Sequence, residues 1–326
     1  NTASKTLASA VTVDTAAPTV TIAATGISSD TGDSHTDQIT NATSFNLQGT
    51  LSSALGAGEV VQISSDGSTW SNATVSGTNW SYALSGQTDS AKTYHVRVID
   101  AAGNIDSHTA SLAVTVDTIA PTVSVTSESS NNANHAQAKA GDIVAATFSA
   151  SDIVDTVTIG GHTVSAVNTS GNNYTASYTV QAGDNGNSDI AITAHDLAGN
   201  TTSYTVAGTV TIDTAAPTIG TISEVSNNAN TALAKASDVI TATFTASDTV
   251  SDVHIGTHTA SVTHSGNNYT ASYTVQAADN ATDMGVTVNA IDAAGNTASN
   301  TLASAVTVDT AAPTIGTISE VSNNAN

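Results

Sequence analysis

Apolar and polar residues alternate along this chain with a period of two, in short runs punctuated by Gly, Asn and Asp. VITATFTA at 239–246 and NYTASYTV at 268–275 show the pattern clearly. A two-residue period places successive side chains on opposite faces of an extended strand, one toward a core and one toward water. No helical period survives more than a turn. Residues that favour long helices are scarce, while Val and Thr, which favour strands, abound. Across 215–310 the pattern predicts strand A from PTIGTI, B at 239–246, C in DVHIGTH at 252–258, a middle strand at 268–275, F in GVTVNAID at 285–292 and G in TLASAVTVDT at 301–310. Seven or so short strands in ~100 residues predict an antiparallel Greek-key sandwich.

All four prolines sit in one recurring motif: VTVDTAAPT at 11–19, VTVDTIAPT at 114–122, VTIDTAAPT at 210–218 and VTVDTAAPT at 306–314. The copies lie about a hundred residues apart, the size of a whole small domain and beyond the ~20–50 residues of a solenoid repeat. The expected fold is all-β: tandem Ig-like Greek-key sandwiches in an extended rod. Proline stiffens each joint, because it fixes φ and removes a backbone donor. Residues 1–15 nearly duplicate 296–310, and 312–326 duplicate 216–230. The expected layout is therefore the last strand of a preceding repeat at 1–15 and a divergent repeat at 16–118. Further repeats follow at 119–214 and 215–310, and 311–326 is the first strand of a following one. On this reading the chain is an internal fragment of something longer. The second and third repeats are close copies, sharing NNYTASYTVQA at 172–182 and 267–277. The first differs by DTGDSHTD at 30–37 and by Trp70 and Trp80.

Composition narrows the function. The 27 acidic residues face only 5 Lys and Arg, for a formal net charge of −22. Such a surface repels nucleic acid and anionic membranes and attracts divalent cations. Charged residues make up only 10% of the chain and apolar ones 39%, which separates it from a disordered acidic tail. There is no Cys, which excludes a disulfide framework and Cys-ligated zinc. No run of 18 apolar residues is present, so no direct membrane insertion is expected. A core of Val, Ile and Ala with 4% aromatics offers little margin over chain entropy, so an added stabiliser such as bound metal is expected on energetic grounds.

The candidate chemistry lies where loops meet the joints. In an Ig-type sandwich the BC and FG loops return to the pole that receives the preceding repeat. The joint motif supplies Asp14, Asp117, Asp213 and Asp309. The FG loop, DxAGN, supplies Asp100 with Asn104, Asp196 with Asn200, and Asp292 with Asn296. The BC loops add Asp152 and Asp155, Asp248 and Asp252, and in the first repeat Glu59. Each junction is thus expected to collect three to five oxygen-bearing side chains from two repeats. Unpaired, such carboxylates repel by roughly 1 kcal/mol or more per close pair. Calcium, which takes 6–8 oxygens in loose geometry, suits them better than magnesium. Asp30, Asp33 and Asp37, in the AB loop at the opposite pole, are expected to join the first junction or to form a site of their own. The competing reading is local: Asp opens turns, Gly supplies positive φ, and the joint Asp caps the turn before Pro.

Other constellations fail. The nine His are scattered without HExxH, and no GxSxG, P-loop or GxGxxG segment occurs. His254 and His258 are expected at the surface, and His195 and Asp196, as strand neighbours, on opposite faces. Trp70 and Trp80 are expected in the core or as a cross-strand pair, with a carbohydrate platform as the alternative. Catalysis is not expected. The joints, the DxAGN loops and the units of the form SNNAN…AKASDVITATFTASD resemble the bacterial Ig-like repeats of giant, type I-secreted, biofilm-associated surface adhesins. The resemblance covers nearly the whole chain. It implies an extracellular stalk on the bacterial surface, calcium at domain boundaries, and a role in attachment or biofilm. The partners it implies are neighbouring repeats of the same chain and a receptor or surface bound elsewhere in the full-length protein. Two alternatives stand beside it: a module that itself binds glycan or a host protein, and a spacer in a large extracellular enzyme or S-layer-like protein.

Overall fold

The structure, a computed structural model, describes residues 11–280 and 282–321. Among them the elements are β-strands, apart from one 3-10 turn at Ala277–Asp279. Parts of the expected terminal strands, residues 1–10 and 322–326, lie outside the described residues. Contacts divide the chain into two compact units. The first runs to Ser127 and adds Ala146–Ala176 and Ile190–Val206. The second takes Glu128–Ala145, Ser177–Asp189 and the residues from Ala207 on.

In the first unit, one sheet orders its strands Ile22–Ile27, Phe45–Leu51, Asn79–Leu84, Thr74–Ser76. The other orders Ile39–Thr40, Ala110–Val116, Ser90–Ile99, Val60–Ser64, Ser71–Asn72. Neighbours run antiparallel except Ile39–Thr40, which is parallel to Ala110–Val116. This is the order of an Ig sandwich: A pairs with B in one sheet, while C, F and G form the other. Alternation drives it. Phe45, Leu47 and Leu51 turn inward against Val61, Val96 and Val98, and the intervening positions face out. Trp80 is 2% exposed and donates from Nε1 to Ala23 O at 3.0 Å. Its ring lies where a side chain on Gly49 would be, 2.4 Å from a Cβ built there, so that position must stay glycine. The same unit contains a sheet of the middle repeat, in the order His162–Val164, Ile153–Ile159, Ile190–His195, Thr201–Val206.

The second unit holds the third sandwich. Ser223–Ser226, Val239–Thr245, Asn268–Thr274 and Ser261–Ser265 form one sheet; His258–Thr259, Thr249–Ile255, Val286–Ile291 and Thr297–Leu302 form the other. Its core is Ile240, Ile255, Val286 and Val288, with Phe244 stacked on Tyr269 at 5.5 Å. Each such fully buried aliphatic contributes about 1.5–3 kcal/mol. Strands B, F and the middle strand fall where the alternation places them.

Two expectations need correction. Strand C begins at Thr249, not 252, and its register shifts between Val250 and Asp252; the middle repeat does the same between Val154 and Thr156. A bulge inserts one residue and keeps the strand going, so Asp155 and Asp252 belong to strands, not BC loops. Strand G is split. Thr297–Leu302 pairs with F, whereas Thr307–Val308 runs parallel to Leu233–Ala234. A buried glutamate holds the crossing: Glu224 Oε2 accepts Ala305 N at 2.7 Å.

Candidate functional site: the joints

DxAGN builds the same closed loop three times. In the first copy Asp100 N donates to Asn104 O at 3.1 Å and Asp100 Oδ1 accepts Asn104 N at 2.8 Å. Gly103, Gly199 and Gly295 take φ of +94°, +88° and +86°, a region open to glycine. The loop aims the asparagine amide. Asn104 Nδ2 donates to Asp100 Oδ2 at 2.9 Å and to the backbone oxygen of joint residue Asp14 at 3.1 Å. Asn200 does so to Asp196 Oδ2 and Asp117 O, both at 2.9 Å. Asn296 does so to Asp292 Oδ2 and Asp213 O, both at 2.8 Å. The hydrogen bonds from Asn104, the side-chain one foremost, hold the Asp100 carboxyl below its usual range. A serine grips the incoming strand a few residues on. Ser151 Oγ accepts Thr122 N at 3.0 Å while Ser151 N donates to Thr122 O at 3.0 Å. Ser247 does the same to Thr218, and Ser52 to Thr21.

The joint carboxylates themselves turn inward to their own turns. Oδ1 of Asp14, Asp117, Asp213 and Asp309 accepts the backbone N–H two residues on, at 3.0, 3.0, 3.0 and 2.9 Å. The BC-side acids are also occupied locally. Glu59 accepts Gly56 N at 2.7 Å, Asp152 and Asp248 accept the hydroxyls of Ser151 and Ser247 at 2.7 Å, and Asp252 faces His254 at 2.9 Å. Among the described residues no group of three or more His, Asp or Glu side chains is placed to hold a metal ion. What converges at each joint is instead one carboxylate oxygen and one backbone oxygen on a single side-chain amide.

A second contact joins the far pole of one repeat to the FG loop of the next. In the first unit Thr31 Oγ1 donates to Ala198 O at 2.6 Å. Beside it Gly32 approaches so closely that a Cβ there would stand 1.9 Å from Leu197 O. His195 then bridges two acids: Nδ1 meets Asp155 Oδ1 at 2.5 Å and Nε2 meets the Asp33 carboxylate at 3.1 Å. The Asp33 hydrogen bond, reinforced by Asp155, raises the imidazole above its ordinary pKa. Asp30 and Asp37 stay within their own loop, accepting Gln38 N and Ile39 N at 3.0 Å. In the second unit Asn132 Nδ2 donates to Ala294 O at 2.8 Å, and Asp142 Oδ2 orients that amide at 2.7 Å.

Residues 5–118 match the profile of the bacterial Ig-like domain, and residues 172–265 that of the bacterial Ig-like domain, group 3. The chain carries tandem bacterial Ig-like domains. No curated protein sequence matches it. Among solved structures it is similar to one described as a 1.5-MDa bacterial ice-binding adhesin, at 20% identity over 91% of this chain and 100% of that one, with a TM-score of 0.43. It is also similar to a tetra-tandem repeat from the extending region of a large adhesion protein, at 20% identity, 86% and 73% coverage and a TM-score of 0.27. A marsupial T cell receptor aligns at 11% identity over 87% and 99%, with a TM-score of 0.40.

Sequence reasoning reached the FG loops and joint residues of these Ig-like domains but missed Thr31, Asn132 and the role of His195. The partners of Asn132 and His195 across the joints are 162 residues away, and no local motif announces them. Trp70 and Trp80 serve separate purposes. Trp80 is core, while Trp70 is covered by the Arg97 guanidinium 3.7 Å from its ring centroid.

Proposed function

We propose that this chain is a stalk segment of a large bacterial surface adhesin, exported to the cell surface, whose Ig-like domains act mechanically as spacers supporting attachment or biofilm formation. The observation that carries this reading is the threefold repetition of one joint: an FG-loop asparagine bonded to its own aspartate and to the backbone of the joint, beside a proline. A bond repeated at every joint serves orientation of neighbours, since a reaction centre would need only one copy. The resemblance to bacterial adhesin repeats supplies the setting. No group in these domains is assigned a catalytic task. Recognition of glycan through a tryptophan platform has no support from Trp70 and Trp80 as placed.

Calcium belongs to the same proposal. The donor set at each joint has the chemistry a hard cation takes: a carboxylate and a backbone carbonyl, joined by the asparagine oxygen if the amide turned over to face an ion. At the second joint these would be Asp196, Asp117 O and Asn200; at the third, Asp292, Asp213 O and Asn296. The ion would neutralise acids that 5 basic residues cannot. Calorimetric titration with calcium tests it, repeated on Asp292→Ala. Binding that loses one joint's stoichiometry in the variant is the expected result; no heat in either protein would remove calcium from the account.

A further inference from the structure

The AB loops of the second and third domains are near copies, SNNAN at 130–134 and 226–230, and their poles are built alike. Asn132 Nδ2 donates to Asp142 Oδ2 at 2.7 Å, and Asn228 Nδ2 to Asp238 Oδ2 at 2.8 Å. Each carboxylate is fixed in turn by a lysine: Lys139 N at 2.9 Å and Nζ at 3.4 Å on Asp142, Lys235 N at 2.9 Å and Nζ at 2.8 Å on Asp238. The difference is the second amide hydrogen. Asn132 gives it to Ala294 O of the following FG loop, whereas among the described residues Asn228 makes no second bond.

Exposure follows the same division. Asn132 is 9% exposed and Asn228 is half-buried. The Lys139 side chain, whose stem lies 3.9 Å from a Cβ built on Gly295, is 37% exposed; that of Lys235 is 68% exposed. On the receiving side, Ala198 and Ala294 are 1% exposed, while Ala102 in the first FG loop is exposed.

We propose that the pole of the third domain around Asn228, Lys235 and Asp238 is a docking surface for the DxAGN loop of a further bacterial Ig-like domain, and that it selects one of the third domain's own type. The occupied pole of the second domain gives the geometry: the amide, already oriented by a buried-side carboxylate, takes the carbonyl of the loop alanine, and the lysine stem packs on the loop glycine. The choice of type follows from what each pole meets. The first domain presents Asp33 to a domain carrying His195 and Asp155. The third domain has Ile291 and Ser251 at those places and is met by Asn132. Asn228 duplicates Asn132 and can take the alanine carbonyl of either loop type, but its neighbouring acid is already taken by Lys235, so the histidine of the other type would find no acid to bridge. The inference rests on the reading of the joints above and is independent of calcium.

The test extends the full chain past Asn326 with a copy of residues 231–310. Residues 311–326 repeat 215–230, so this completes a domain of the third type. The copy carries Ala293→Leu, the residue found at 197, so that its FG-loop peptide has a distinct mass. Amide hydrogen exchange is read on that loop, on 292–296 and on 100–104. The expected result is protection of the added loop matching that of 292–296, with exchange about tenfold faster after Asn228→Ala, as Asn132→Ala does at 292–296. A parallel extension with residues 135–214, the histidine-bearing type, is expected to leave its loop exchanging faster than the added third-type loop. If the added third-type loop exchanges like 100–104 whether or not Asn228 is present, the docking surface is refuted. If both extensions are protected equally, the selectivity is refuted. If 292–296 itself ignores Asn132→Ala, the reading of the joints falls as well.

Discussion

The two joints that have a domain on either side share one contact and differ in another. In both, an FG-loop asparagine holds the backbone of the joint aspartate, at 2.9 Å from Asn200 and 2.8 Å from Asn296. Against that constant, the AB loop reaches the next FG loop differently. The first joint uses a glycine at van der Waals contact, a threonine hydroxyl and a histidine between two acids. The second uses one asparagine amide oriented by Asp142. The constant contact is made by residues adjacent to the joint itself. The variable one is made by loops at the far end of the preceding domain, where the two subtypes diverge. Orientation of the chain at the joint is thus common property, and the identity of the neighbour is read separately.

The largest effect is expected from Gly32→Ala. Its φ of +88° and the Leu197 oxygen in the path of a Cβ leave no relaxed position, so the first joint loses about 2–3 kcal/mol, measured as a lower melting midpoint. Gly295→Ala, at φ +86° but with only the Lys139 stem in ordinary van der Waals reach of a Cβ, costs about 1 kcal/mol. Equal effects would erase the distinction between the joints. Next is Asn132→Ala, which strands Ala294 O, leaves Asp142 Oδ2 to Lys139 N alone and costs about 1–2 kcal/mol at the second joint alone.

A pH effect separates the third domain from the second. Glu128 has the Ser188 hydroxyl for Oε1, whereas Met284 stands at the equivalent place and leaves Glu224 Oε1 buried without a partner among the described residues. Burial raises the Glu224 carboxyl above its usual range. The folded state then keeps a proton that the unfolded chain releases, so stability is greatest in acid and falls as pH rises from the unfolded pKa through the folded one. Glu224→Gln is expected to flatten that dependence and gain about 1 kcal/mol at neutral pH. An unchanged pH profile of unfolding would contradict it. The smallest effect is His195→Ala, under about 1 kcal/mol and weaker in high salt, because Asp33 is 55% exposed in its side chain.

Much of this was legible in the chain. Alternating Thr with Val, Ile and Ala marks strands B and F to within a residue, and the Asp-x-Ala-Gly-Asn loops announce tight turns beside a proline joint. Two features were hidden for physical reasons. A bulge changes no composition, so Asp155 and Asp252 read as loop acids although they lie on strands. The split of strand G depends on a glutamate about eighty positions earlier reaching Ala305 N, which no local period encodes. The expected pooling of carboxylates did not allow for Asp satisfying its own turn first, as Asp117 Oδ1 does with Ile119 N. The His195 bridge needs a partner from another domain, which alternation cannot supply.

The central claim is that the FG-loop asparagine sets the angle between neighbouring domains. Small-angle scattering of the native chain and of Asn200→Ala with Asn296→Ala, each with calcium and with chelator, tests it most directly. The account predicts a single sharply bounded distance distribution for the native chain and a broadened, shorter one for the double variant. Four superimposable profiles would contradict it.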